Sequence, residues 1–208
     1  MRNECGKTNR SRESTGDSFP VPNPSSLNPQ PSTLNPVSSS LLPHPATLSY
    51  DDLLQACRVE RLRRSGPGGQ HRNKVETGVR LLHHPTGVRA EACERRSQAE
   101  NQRIALARLR VNLALEIRCP CDTDQGPTPL WRSRCRSGRI DVSASHDDFP
   151  TLLAEALDRI AAHESDVKQA AETLTLSTSQ LVKLLKKEPR ALALVNRWRE
   201  EHNLGTLQ

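Results

Sequence analysis

Aromatic side chains are almost missing from this chain: two Trp, two Phe and one Tyr in 208 residues. Hydrophobic residues reach only 34%, low for a chain of this length that folds throughout, so part of it is expected to stay unfolded. No apolar run approaches the ~20 residues of a membrane-spanning helix. No apolar core follows the N-terminal charges, so a secretory signal is not expected. Arg2, Lys7, Arg10 and Arg12 among serines resemble an organelle transit peptide, but Glu4, Glu13, Asp17 and the prolines oppose that reading. A cytoplasmic monomer is the expectation, with an organellar location as the alternative. The six cysteines are scattered and form no disulfide framework. Cys119, Cys121 and Cys135 with His146 lack the usual two-to-four-residue ligand spacing. Neither a metal nor another cofactor is expected.

Positive charge is present and unevenly spread. The formal net charge is +6, yet Arg58 to Arg118 alone holds 14 Lys/Arg against 6 Asp/Glu, a surplus of eight. An anionic partner for that segment follows. Residues 1–48 read as a disordered leader, with eight of the 15 prolines and nine serines before Thr47. Order is expected from Ser49, an N-cap ahead of Asp51 and Asp52. "CRVERLR" alternates Val59 and Leu62 with charges and predicts a strand. "VRLLHHPTGVRAEAC" predicts a hairpin, with Val79 and Leu81 on one side and Val88, Ala90 and Ala92 matching them, across a type I turn at His84-Pro85-Thr86-Gly87. Ser97 and Glu100 form a capping box for a long helix carrying Leu106, Leu109, Leu113 and Ile117.

These elements make a compact α+β domain over 49–118, a small sheet packed on a long helix. Residues 119–148 read as a connector with one strand at "GRIDVSA". Residues 149–208 read as an all-α module: a first helix striped with Leu152, Leu153, Ala156, Leu157 and Ile160, then two short helices across "TLS", then a last helix started by Pro189. That is a helix-turn-helix-like arrangement.

Between the first strand and the hairpin stands "RRSGPGGQHRNK", residues 63–74. Three of the chain's 10 glycines fall in four positions here. They allow positive φ and close approach of another molecule to the main chain. On the residues alone an ordinary surface turn is the leading reading, and a nucleotide-phosphate loop lacks its Gly-Lys-Ser/Thr ending.

The longer run "SGPGGQHRNKVETGVRLLHHPTGVRAEACERRSQAENQRIALARLR" resembles the peptidyl-tRNA hydrolase domain of class I peptide chain release factors and their ribosome-rescue relatives. The resemblance covers about Arg58 to Arg118. It includes the signature Gly68-Gly69-Gln70, the following His71, Asn73 and Lys74, the "VRLLHHPTGV" hairpin and the "ERRSQAENQ" helix start, in family order. It implies ribosome-dependent hydrolysis of the peptidyl-tRNA ester in the peptidyl transferase centre, releasing the nascent peptide. By that resemblance the Gln70 main-chain N–H stabilises the developing oxyanion, its side chain shapes the space for water, and Gly68 and Gly69 permit the backbone conformation. No protein nucleophile is implied. His71 reads as an RNA contact or loop support rather than a general base.

Arg63, Arg64, Ser65, Arg72, Asn73 and Lys74, with Arg95 and Arg96 at the helix start, are the expected RNA contacts, with Arg103 beside them. Arg72 departs from the apolar residue common in the family. The implied partners are large-subunit rRNA, P-site peptidyl-tRNA and a methyltransferase acting on N5 of Gln70. No segment resembles a codon-reading module, so codon-independent rescue of stalled ribosomes is expected. Gln180, Lys183, Lys186 and Lys187 on the helix-turn-helix-like module are a possible second nucleic-acid contact. They also support the alternative of a nucleic-acid-binding regulator that keeps the hydrolase fold as a platform. The plain counter-reading is a three-helix bundle with lysines facing water.

Overall fold

The computed structural model describes residues 43–63 and 76–208. The Pro/Ser-rich stretch 1–42 and residues 64–75 lie outside the described residues. The α+β class expected from the pattern is the one found.

A 3-10 turn at Pro45–Thr47 leads into α1 (Tyr50–Gln55), whose N-cap Ser49 accepts the Asp52 N–H at 3.2 Å. The strands β1 (Cys57–Leu62), β2 (Gly78–His83) and β3 (Arg89–Ala92) form one antiparallel sheet in chain order. Alternation then sorts the side chains. Val79, Leu81, Ala90 and Ala92 are buried on one face. Glu60, Arg80 and Glu91 stand opposite one another on the other face, where Arg80 pairs with Glu91 at 3.0 Å and Glu60 at 3.7 Å. Val59, which alternates with charges along β1, is 43% exposed, because β1 is an edge strand that the long helix does not cover. The hairpin turn also closes one residue wider than a type I turn. The Gly87 N–H donates to the His83 carbonyl at 2.8 Å, with Gly87 at φ +73°, a conformation that suits glycine.

The long helix α2 (Gln98–Glu116) begins at the expected cap, Ser97 Oγ accepting the Glu100 N–H at 3.4 Å. Leu106, Leu109, Leu113 and Ile117 are buried as the spacing predicts. Ala105, Arg110 and Ala114 are buried too, since α2 is covered on two sides. The sheet packs on one, and α4 (Phe149–Ala162) with the 3-10 turn packs on the other. Each fully buried leucine here contributes roughly 1.5–3 kcal/mol.

Arg110 ties those layers. It donates to the carbonyls of Ala46 (3.1 Å) and Asp147 (2.8 Å) and to Thr151 Oγ1 (3.2 Å), with its guanidinium 5.6 Å from the Tyr50 ring centre.

The connector holds more than one strand. A helix α3 (Pro129–Arg134), capped by Thr128, runs into a two-residue hairpin, β4 (Cys135–Arg136) and β5 (Arg139–Ile140). Ser137 (φ +49°) and Gly138 (φ +68°) make its turn, the left-handed pair that tight hairpins use. After α4 come α5 (Val167–Thr173), α6 (Thr178–Leu185) and α7 (Pro189–Glu201). Ser177 caps α6, and Pro189 opens α7 as expected. Trp131, fully buried, donates its indole N–H to the Leu174 carbonyl at 3.0 Å, fixing α3 against the α5–α6 turn.

Candidate active site

Of the residues assigned to the glycine loop, Arg64, Ser65, Gly68, Gly69, Gln70, His71, Arg72, Asn73 and Lys74 lie outside the described residues. The structure shows the frame that carries them. Leu62 and Gly78 are partners across β1 and β2, so the chain leaves and re-enters the sheet at adjacent points. Arg63 Nη2 meets Glu76 Oε1 at 3.1 Å across this stem. Both side chains are exposed, so the pair is weak and screened by salt. Arg63 thus has a protein partner where an RNA contact was expected.

Gly78 is required by crowding. A Cβ there would lie 2.9 Å from the Leu62 carbonyl oxygen and 3.1 Å from Leu62 Cβ. The sequence reading attended to the loop glycines and passed over this one. It also passed over Asn101, which is completely buried on the first turn of α2. Its Nδ2 donates to the carbonyls of Thr77 (2.7 Å) and Arg95 (2.9 Å), and its Oδ1 accepts the Arg95 N–H at 2.9 Å. One amide side chain therefore fastens the returning leg of the stem to the turn before α2. An asparagine where a helix former would serve better was the available signal.

Around the stem, Arg61, Arg95, Arg96 and Arg103 are exposed, and among the described residues none has a side-chain partner. Glu94 pairs instead with Arg108 at 2.7 Å. That hydrogen bond holds its carboxyl below the usual range. Arg61 beside the stem, and Arg95 and Arg96 in the turn that Asn101 ties to it, thus present unneutralised guanidinium groups, a surface suited to phosphates. The sequence count overstates it, because Arg110 is buried and the half-buried Arg118 is spent on Asp158. His83 Nδ1 lies 2.8 Å from Thr86 Oγ1 at the opposite end of β2, where the pair stabilises the hairpin turn.

Of the second set, Lys183 is exposed on α6, Lys186 is exposed at its C-cap, and Gln180 is half-buried. Lys187 is engaged, its Nζ donating to the Val142 carbonyl and standing 3.9 Å from Asp141.

The cysteine cluster considered in the sequence is not the one the fold assembles. Potential ligand atoms of His44, Cys119 and Asp158 come within 4.8 Å of one another. His44 spends both nitrogens, Nδ1 accepting the Ala46 N–H (3.0 Å) and Nε2 facing the Ile117 carbonyl (3.2 Å). Asp158 accepts from Arg118 Nη1 (2.9 Å) and the Cys119 N–H (3.2 Å). A buried guanidinium beside the carboxylate and a fully bonded imidazole make this a hydrogen-bonded brace. Burial lowers the His44 pKa to about 4 and raises that of Asp158 to about 7, with Arg118 opposing the rise.

Comparison with known proteins shows what the framed segment is similar to. Residues 54–125 match the RF-1 domain. The mitochondrial peptide chain release factor 1 of Bos taurus is 40% identical over 75 residues, which are 36% of this chain and 17% of that protein. Its Homo sapiens counterpart is 45% identical over 60 residues, 29% of this chain and 14% of that protein. Peptide chain release factor 1 of Ureaplasma parvum is 48% identical over 56 residues, 27% of this chain and 16% of that protein. The chain spans less than a fifth of the length of these three relatives. The matched segment contains the loop, its stem, Gly78 and Asn101, and over that third of its length the chain is similar to peptide chain release factors.

Proposed function

We propose that this protein hydrolyses the peptidyl-tRNA ester on the ribosome and thereby releases the nascent peptide. The observation that carries the reading is the RF-1 match over 54–125, which contains Gly68, Gly69 and Gln70 in sequence between the two strands of the stem. In this mechanism water attacks the ester carbon, and the Gln70 main-chain N–H stabilises the charge that develops on oxygen. The Gln70 side chain shapes the water's space, and Gly68 and Gly69 admit the backbone geometry. Arg63, Arg64, Ser65, His71, Arg72, Asn73, Lys74, Arg95 and Arg96 contact large-subunit rRNA and the P-site tRNA. N5-methylation of Gln70 by a dedicated methyltransferase belongs to the same reading.

We further infer codon-independent release on stalled ribosomes. In this reading residues 129–201, which fold as helices and a short hairpin on the same core as the matched helix, serve as the docking module. The hydrolase unit is taken as 49–118, with 119–148 as connector and 149–208 as the helical module. Among the described residues no helix is long and apolar enough to cross a membrane.

The test is peptide release from ribosomes stalled on mRNA without a stop codon, comparing wild type with Gly69→Ala while ribosome binding is followed in parallel. Release by wild type alone, with binding equal, is the expected result. Binding without release by wild type would sink the hydrolase reading and leave the nucleic-acid-binding regulator.

A further inference from the structure

The β4–β5 hairpin places two like charges opposite each other. Arg136 and Arg139 are partners in its register, an arrangement that costs stability in a free sheet. Cys135 and Ile140 form the other pair, with Ile140 buried, so alternation turns both arginines outward. Both are exposed, and among the described residues neither has a side-chain partner. In a cleft of about 560 Å³ beside the sheet, by contrast, Arg80, Arg108 and Arg190 each pair with a glutamate, leaving the exposed Arg89 outside those pairs.

The hairpin adjoins the second helix of the helix-turn-helix-like unit. β5 packs on α6, and Gly138 lies beside the α5–α6 turn, where an added Cβ would stand 4.0 Å from the Thr175 carbonyl, ordinary contact. Lys187, just past α6, reaches Val142 and Asp141, just past β5. Lys183 is one helical turn before Lys187 and shares its flank. Lys183 and Lys186 are exposed, again without partners among the described residues. Of the charged groups at this junction, Asp141 already faces Lys187.

We propose that Arg136, Arg139, Lys183 and Lys186 form a second binding surface, outside the matched segment, for the phosphate backbone of a structured RNA. A polyanion would relieve the repulsion that the hairpin holds in the free protein. A protein partner fits less well, because such interfaces centre on aromatic or large apolar anchors. Among the described residues the exposed large hydrophobics are Val59 and Leu204, neither in this patch. The choice of RNA over DNA rests on the ribosomal reading above.

The experiment uses the full chain and a fluorescently labelled RNA hairpin, with a DNA hairpin of the same sequence alongside, titrated at several salt concentrations. Charge reversal of all four residues to Glu should weaken RNA binding by at least about tenfold. It should also flatten the log K against log salt slope by about 3, since each phosphate contact carries roughly 0.7–0.9. A second variant, Arg136→Ala with Arg139→Ala, should melt no lower than wild type while still losing RNA affinity, which separates binding from folding. Unchanged RNA affinity and slope in the charge-reversed protein would overturn the proposal, as would DNA binding as tight as RNA. Release by wild type but not Gly69→Ala is read separately, so either proposal can fail while the other stands.

Discussion

Replacing Asn101 by alanine removes three hydrogen bonds and nothing else of consequence to shape. The amide bonds the Thr77 carbonyl and both backbone groups of Arg95 at 2.7–2.9 Å, from a completely buried position. Each neutral bond is worth about 1 kcal/mol net, so Asn101→Ala should destabilise the fold by about 3 kcal/mol. Asn101→Asp keeps one acceptor for the Arg95 N–H but loses both donors, and should be no better. Urea unfolding measures the loss as a lower midpoint at unchanged slope, with exposed Arg103→Ala as the control. Peptide release should fall further than ribosome binding, because the loop's returning leg is no longer fastened to α2. A stability change below about 0.5 kcal/mol would refute the clamp, since exposed substitutions lie in that range.

Gly78→Ala should cost about 1–3 kcal/mol through overpacking against Leu62, read as a lowered melting temperature. An unchanged value would mean that the stem relaxes freely. The unfolded His44 imidazole takes its proton near pH 6.5, but the folded one only at about 4. Stability present above pH 6.5 is therefore lost as pH falls towards 4, by about 3 kcal/mol. Asp158, raised to about 7, acts in the opposite sense over that window. The difference between wild type and His44→Gln isolates the histidine. Equal pH profiles for the two proteins would dismiss its role.

The parts of the fold that the sequence spells out are those governed by local chemistry. Ser49 and Ser97 announce their helices because capping is decided within four residues, and the leucines of α2 repeat at helical spacing. Long-range pairing is not legible in this way. Nothing near Arg110 says that Ala46 and Asp147 will meet it, so Arg110 entered the basic surplus that pointed to an anionic partner. Val59 alternates like a core residue, but exposure depends on where α2 ends its coverage of the sheet. Asn101 and Gly78 were hidden for a related reason. Their roles lie in partners 24 and 16 positions away, at Thr77 and Leu62. The glycine loop's identity was the most readable feature, since it is carried by an ordered set of residue types.

The double coverage of α2 bears on how the gene could be cut. Leu109 and Leu113 belong to a helix buried by the sheet on one side and by α4 on the other, and Arg110 is bonded to residues on both flanks of the matched stretch. A fragment trimmed to the family's own limits, 54–125, would carry half of that core bare to solvent. Expressed alone it should aggregate or require a substitute surface. The unit that recombination or an engineer can move intact is therefore longer than the one that homology outlines.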